Sequence, residues 1–384
     1  MTLIRNLSHP DSNVKKRELS KHFCNLINPI SSLFHFYPKY KNPFCSNNSN
    51  GIIKGFGANS YRGLIKRHNE AQVSIAYNVS KPKNYKGKLW PERLSIFCLF
   101  DGHFGSGCSN FLRDNFHTYL INNELFPRDV EKSIFDTFAK LENDFITYHA
   151  LSPDNYLLDR SGSCAIVTII VDKTAYIAHV GNSRAIMSTN FGKHSIQITQ
   201  DHKPNLTSEK KRIKDNDGEV YKVNSMNNEH RVLPGNLSVS RTIGDASSKI
   251  PFLGGKLGAI ISIPEITKIN LDDNVIDFIL MGSSGIFDKL GNKELITSMW
   301  STLNNKYSYE KTIHSQAGIC SDMAIKNAML KKSKDNVSSI FISFSNFEQI
   351  YVNQRDKFIL SSFDNNNNVK YNDTSIKQYN ILPL

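Results

Sequence analysis

The stretch SCAIVTIIVDKTAYIAHVGNSRAIMS, residues 163–188, carries the strongest structural signal in the chain. Its apolar runs are short and rich in β-branched side chains, which reads as three successive strands. They are separated by Asp172-Lys173 and by Gly181-Asn182-Ser183. Both connections have hairpin lengths, so the spacing predicts antiparallel pairing throughout.

Outward from this segment, RLSIFCLF (93–100), VIDFILM (275–281) and VSSIFISF (337–344) read as further buried strands bounded by Gly, Asp, Asn or Ser. Helical patterns occupy 107–123, 129–150, 292–305 and 308–331. Hairpins interspersed with long helices predict an α+β layered fold and exclude a repeated βαβ unit. With 384 residues, 39% hydrophobic and 21% charged, the chain can bury a sizeable core. The expected organisation is a basic, flexible N-terminal arm at 1–52, one folded domain at 53–347, and an Asn-rich polar tail at 348–384.

The net charge of +12 raises the question of a nucleic-acid partner. Residues 1–55 hold eight Lys/Arg against two Asp/Glu, half of the whole excess. Elsewhere basic residues are scattered through loops without aromatic interleaving, so no nucleic-acid partner is expected. The N-terminal stretch lacks a continuous apolar region, no run is long enough to span a bilayer, and residue 2 is Thr. The six cysteines show no CxxC spacing and read as reduced, buried thiols. These features predict a soluble intracellular monomer, cytoplasmic or nuclear, with no membrane association.

Chemistry-bearing residues gather at strand ends. LFDGHFG puts Asp101, Gly102 and His103 after one apolar run, and Glu70 precedes another. GIFDKL puts Asp288 past a third, and Asp335 opens a fourth. Carboxylates from distant parts of a chain, each at a strand tip, are the usual way to bind a hard divalent cation. Taken singly, each is as well read as a turn residue.

Seven blocks, LFDGHFG, SGSCAIV, AHVGNSRAI, QDHKP, RVLPGNLSVSRTIGD, GIFDKLGNKE and KDNVSSI, follow the order and spacing of the metal-dependent protein phosphatases. Over residues 56–344 the chain resembles this PPM, or type 2C Ser/Thr phosphatase, family. The resemblance implies a four-layer αββα architecture, a central antiparallel β-sandwich flanked by helices. It also implies a binuclear Mg²⁺ or Mn²⁺ centre whose bridging water attacks a phosphoserine or phosphothreonine ester. Glu70, Asp101, the Gly102 carbonyl, Asp288 and Asp335 then match metal positions. His103 matches the general acid, and Lys66, with Arg67 beside it, stands where a phosphate-binding Arg is usual. Asp245 matches the Asp of an RxxGD block and is expected to pair with Arg241, while Asp201-His202 is expected to form a turn. Residues 207–221 match a substrate-selecting flap.

Three positions depart from that pattern. Ala71, Asn182 and Ser284 stand where the family carries acids. A hydroxyl can donate a lone pair but offers no charge to offset a dication. The expectation is therefore a degenerate member, weak or inactive, with weakened Mg²⁺ or Mn²⁺ binding. Its partners would be a phosphoprotein substrate or a regulatory protein. The alternative is an active phosphatase with a remodelled centre.

Overall fold

The computed structural model describes residues 33–36, 43–83, 85, 87, 89–223, 229–271, 275–304 and 312–364. The strands are β1 (Leu33–Phe36), β2 (Phe44–Cys45), β3 (Gly55–Tyr61), β4 (Gln72–Ala76), β5 (Leu94–His103), β6 (Gly162–Val171), β7 (Thr174–Val180) and β8 (Arg184–Thr189). They continue with β9 (His194–Gln197), β10 (Glu219–Lys222), β11 (His230–Leu233), β12 (Ile243–Gly244), β13 (Glu265–Asn270), β14 (Ile276–Gly282) and β15 (Val337–Ser343). The helices are α1 (Gly107–Ile121), α2 (Val130–Phe145), α3 (Thr207–Asp215), α4 (Ala246–Lys249), α5 (Ser284–Phe287), α6 (Asn292–Ser301), α7 (Ile313–Leu330) and α8 (Ser345–Asp364).

Two antiparallel sheets form the centre. The first has the order β1-β4-β5-β6-β7-β13, with β12 attached to β6, and the second the order β2-β3-β15-β14-β8-β9. Side chains alternate across each strand, so a strand between two layers must be apolar on both faces. On β5, Ile96, Cys98 and Phe100 face α1 and α2, where they meet Phe116, Phe138 and Leu141. Phe97 and Leu99 face the other sheet, meeting Phe56, Ile279 and Ile340. Beyond the second sheet, Phe278, Leu280 and Phe341 pack under α6 and α7 against Leu295, Met299 and Ile325. The result is the expected αββα stack with three apolar layers.

One apparent interruption in β14 is satisfied internally. Asp277 is fully buried, and its carboxylate accepts bonds from Ser188 Oγ, the Phe191 and Gly192 backbone N–H groups and Asn346 Nδ2. A buried carboxylate is tolerated only with such partners.

Three local expectations are corrected. The Asp172-Lys173 connection is a hairpin joining β6 and β7, but Gly181–Ser183 is not: β7 lies in the first sheet and β8 in the second. A three-residue link is long enough to step between packed sheets, and local spacing cannot distinguish that from a hairpin. The segment expected as a flexible arm contributes β1, paired with β4, and β2, paired with β3. The folded unit thus includes backbone before residue 53; residues 1–32 lie outside the described residues. At the other end, α8 runs to Asp364 instead of stopping near 347. Phe347 and Tyr351, one helical turn apart, bury on Phe278 and its neighbours and anchor it, whereas 365–384 lie outside the described residues.

Phe278 touches Phe341, Phe347 and Trp300 at the centre of this outer layer. Phe278→Ala is expected to destabilise the fold by about 3–5 kcal/mol, measured as a shift in urea midpoint without a large change in m-value.

Candidate active site

The sandwich brings the strand tips named above to one end. Asp101 lies near the end of β5 and is almost fully buried. Facing it is the start of α5, where β14 ends in Gly282 and the chain turns through Ser283 into a single helical turn. Ser284 donates two bonds to Asp101 Oδ2, from its backbone N at 3.1 Å and from its Oγ at 2.7 Å. Ser283 points the other way and ties α5 to β15 by donating to the Asn336 carbonyl and accepting from Ser338 N. Burial pushes the Asp101 carboxyl up to about 7, reinforced by the charge on Asp335 and opposed by the Ser284 bonds.

Glu70 enters from the loop before β4. Its Oε1 accepts from Gly105 N at 2.8 Å, and its Oε2 from Lys66 Nζ at 3.1 Å. Lys66 also reaches Asp335 Oδ1 at 3.3 Å, so one ammonium bridges two carboxylates. Burial alone would lower the Lys66 pKa, but Asp335 and Glu70 outweigh it and raise it. The loop is held by Asn336, a fully buried residue that sequence reading missed. Its side chain accepts from Glu70 N and donates to the carbonyls of Arg62 and His68. Gly102 is required where it stands, because a Cβ there would lie 2.5 Å from the Glu70 carbonyl and 2.7 Å from Ser109 Oγ.

The remaining expected residues are less converged. Arg67 is exposed, as is Asp288, which caps α5 among the charges of Lys203, Asp201, Asp335 and Arg184. Ala71 is fully enclosed. Asn182 lies on the crossing between the sheets and accepts a long contact from Cys164 Sγ at 3.4 Å.

His103 has a partner that the sequence reading assigned elsewhere. Its Nε2 donates to both Asp245 carboxylate oxygens, at 3.0 and 2.8 Å. Burial opposes the charged imidazolium, but Asp245 more than compensates and raises the His103 pKa. This suits a proton donor. Asp245 is itself buried, with φ of 53°. It fits only because residue 162 is Gly: a Cβ there would meet an Asp245 carboxylate oxygen at 2.0 Å. Behind it, Glu142 on α2 pairs with Lys249 and accepts from Gly244 N, fixing the loop on either side of Asp245.

The expected Arg241–Asp245 pair is therefore absent. Arg241 bonds Glu209 and Glu265 instead, because α3 brings Glu209 over the loop. The flap itself has the expected helix, α3, followed by a turn into the β10–β11 ribbon. Asp201 makes a bidentate pair with Arg184, at 2.8 and 2.7 Å. His202 stacks on His179 with ring centroids 4.4 Å apart.

Among the described residues, the one set of three His, Cys or acidic ligand atoms within 4.8 Å of one another is His179, His202 and Glu265. Its chemistry does not suit a cation. Gly181 N donates to His202 Nδ1, so the neutral ring carries its proton on Nε2, the atom facing Glu265 at 3.4 Å. Burial, with His179 and Arg241 nearby, pushes the His202 pKa down to about 2. Binding a metal through Nε2 would require an imidazolate beside Arg241. The cluster is a structural knot under the flap.

Nor do the residues at the sandwich end fit two divalent ions. Glu70 and Asp335 are already paired with Lys66, Asp101 is paired with Ser284, and Ala71 offers no oxygen. What survives is a buried carboxyl, a hydrogen-bonded His–Asp pair and a bridging ammonium.

A four-layer αββα sandwich with a DGH strand end and acidic loops gathered at one edge defines a phosphatase-type architecture. The chain belongs to the protein phosphatase 2C family, whose model matches residues 65–337. It is 31% identical over 70% of its length to "Probable protein phosphatase 2C 58" of Arabidopsis thaliana, covering 82% of that protein. It is 30% identical over 65% of its length to "Probable protein phosphatase 2C 27" of the same plant, and there the match spans only 59% of the relative. In fold it is similar to the serine-threonine phosphatase 2C from Toxoplasma gondii, with a TM-score of 0.62 and 16% identity, over 82% of this chain and 99% of that one. No helix among the described residues is long and apolar enough to cross a membrane.

The Glu209 knot gives a pH signature. Burial pushes its carboxyl up, but bonds from Arg241 and Ser240 and the charge of Arg212 hold it at about 2. A depressed folded value adds stability above the ordinary carboxylate pKa, and that stability is lost as pH falls toward 2. Glu209→Gln is expected to cost about 3 kcal/mol at neutral pH by urea denaturation. The gap from wild type should narrow steadily as the solution is acidified below the ordinary glutamate value.

Proposed function

We propose that this protein is a pseudophosphatase: it keeps the phosphatase 2C fold, hydrolyses phosphoesters weakly or not at all, and serves as a binding module for a phosphoprotein or a regulatory protein. The observation that carries the reading is the Ser284–Asp101 contact. Where the resemblance calls for a second carboxylate facing Asp101, a neutral hydroxyl donates to it. Charge that would hold Mg²⁺ or Mn²⁺ is missing at Ser284, Ala71 and Asn182 together, and each lost unit matters most at short range in a partly buried site.

A second reading is favoured by the His103–Asp245 pair. A His whose pKa is raised by a carboxylate partner is suited to protonate a leaving alkoxide, and an active enzyme with a remodelled Mn²⁺ or Mg²⁺ centre would use it. Only on this second reading would a metal supply Lewis acidity and an activated water, with Glu70, Asp101, Asp288 and Asp335 as the anionic side chains left to hold it.

Hydrolysis of a phosphothreonine peptide by the wild-type chain, followed over a Mn²⁺ titration, should stay at background. Robust turnover at modest Mn²⁺ would establish the second reading instead. Ala71→Asp with Ser284→Asp is expected to raise turnover by about two orders of magnitude and to make the melting midpoint Mn²⁺-dependent. Of the single changes, Ser284→Asp should contribute more, because Ala71 is fully enclosed and a charge there carries a desolvation cost.

A further inference from the structure

We propose that Lys66 is a built-in counter-ion that takes the place of a divalent cation between Glu70 and Asp335. The inference rests on reading these two carboxylates as the metal positions of the fold. It goes beyond the loss of ligands, because it assigns a residue that occupies and defends the place.

Three observations carry it. The Lys66 ammonium lies 3.1 Å from Glu70 Oε2 and 3.3 Å from Asp335 Oδ1, bridging acids from opposite ends of the domain. Its backbone cannot swing away freely. Asn336 grips Arg62, His68 and Glu70, and Gly63 sits so close to Asp335 that a Cβ would lie 2.1 Å from the Asp335 carbonyl. The third is the charge balance around the clamp. Ser284 and Ala71 add no negative charge, so the single positive charge of Lys66 offsets much of what remains.

A tethered ammonium competes at high effective concentration, since closing the contact costs no loss of free ligand. Any entering dication would have to displace it or bind beside a like charge within a few ångströms. Lysine suits the role because its compact charge and flexible stem can point between two carboxylates, which a planar guanidinium does less readily. The same clamp ties the loop before β4 to the entry of β15, so it also substitutes for the cross-linking a metal would provide.

The test uses the full chain, stripped with EDTA and dialysed, as wild type and as Lys66→Gln. Mn²⁺ alone is titrated by calorimetry, and the melting midpoint is followed with and without it. Wild type should show no change in midpoint with Mn²⁺. Lys66→Gln should melt lower in metal-free buffer, bind Mn²⁺ at least about tenfold more tightly than wild type, and regain its midpoint on loading. Equal Mn²⁺ affinity in the two proteins would overturn the proposal, as would a midpoint rise of several degrees in wild type at submillimolar Mn²⁺. Should Lys66→Gln fail to fold, the wild-type midpoint decides alone. Background phosphopeptide turnover together with equal Mn²⁺ affinity in the two proteins would leave the pseudophosphatase reading standing and overturn this proposal alone.

Discussion

Each of the two central sheets has to hide both of its faces, and the rest of the molecule follows from that constraint. Phe97 and Leu99 on one face of β5 and Ile96, Cys98 and Phe100 on the other leave no wettable side, so one face packs on the second sheet and the other on helices. Polar groups are then excluded from the strand bodies unless fully bonded, as Asp277 is. Chemistry can reside only where strands end. That is why Asp101, Ser284, Glu70 and Asp335 meet at one rim although they are spread over most of the chain.

At the rim the organising force is charge balance. Buried or half-buried carboxylates need partners, and the fold supplies three kinds: a hydroxyl and backbone N–H for Asp101, an ammonium for Glu70 and Asp335, and an imidazole for Asp245. A second, separate balance sits under the flap. There Glu209 gathers Arg241, Arg212 and Ser240, and the stacked His179 and His202 stay neutral. The two networks meet in one short segment, since Arg241 faces the flap and Asp245 faces His103. The placement of the flap and the orientation of His103 are thus set by adjacent turns of the same loop.

The errors of the sequence reading have a common physical origin. Gly181–Ser183 looked like a hairpin because its length and composition are those of a turn, but the choice between pairing β7 with β8 and stepping to the other sheet depends on the inter-sheet core. Arg241 and Asp245 looked like partners because they are four residues apart and oppositely charged. Asp245 instead adopts a left-handed backbone conformation beside Gly162, and Glu209 reaches Arg241 from a helix more than thirty residues away. Asn336 lies within the block KDNVSSI, but nothing local shows what its amide does: it pins the loop that carries Lys66 and Glu70.

By itself the sequence determined the strands β5, β6, β7, β8, β14 and β15, the helices α1, α2, α6 and α7, a layered α+β arrangement and the family, because period-two and helical apolar patterns and seven ordered blocks are local properties of the chain. It also named Glu70, Asp101, Gly102, His103, Asp288 and Asp335 as a group with Lys66 and Arg67 beside them, and marked Ala71, Asn182 and Ser284 as the neutral positions among them; Arg67 and Asp288 are exposed in the structure. Only the tertiary structure decided who pairs with whom: Ser284 with Asp101, Lys66 with two acids at once, His103 with Asp245. Side-chain pairing depends on distances between elements far apart in sequence, and those distances are fixed by the packing of the two sheets and not by any local pattern.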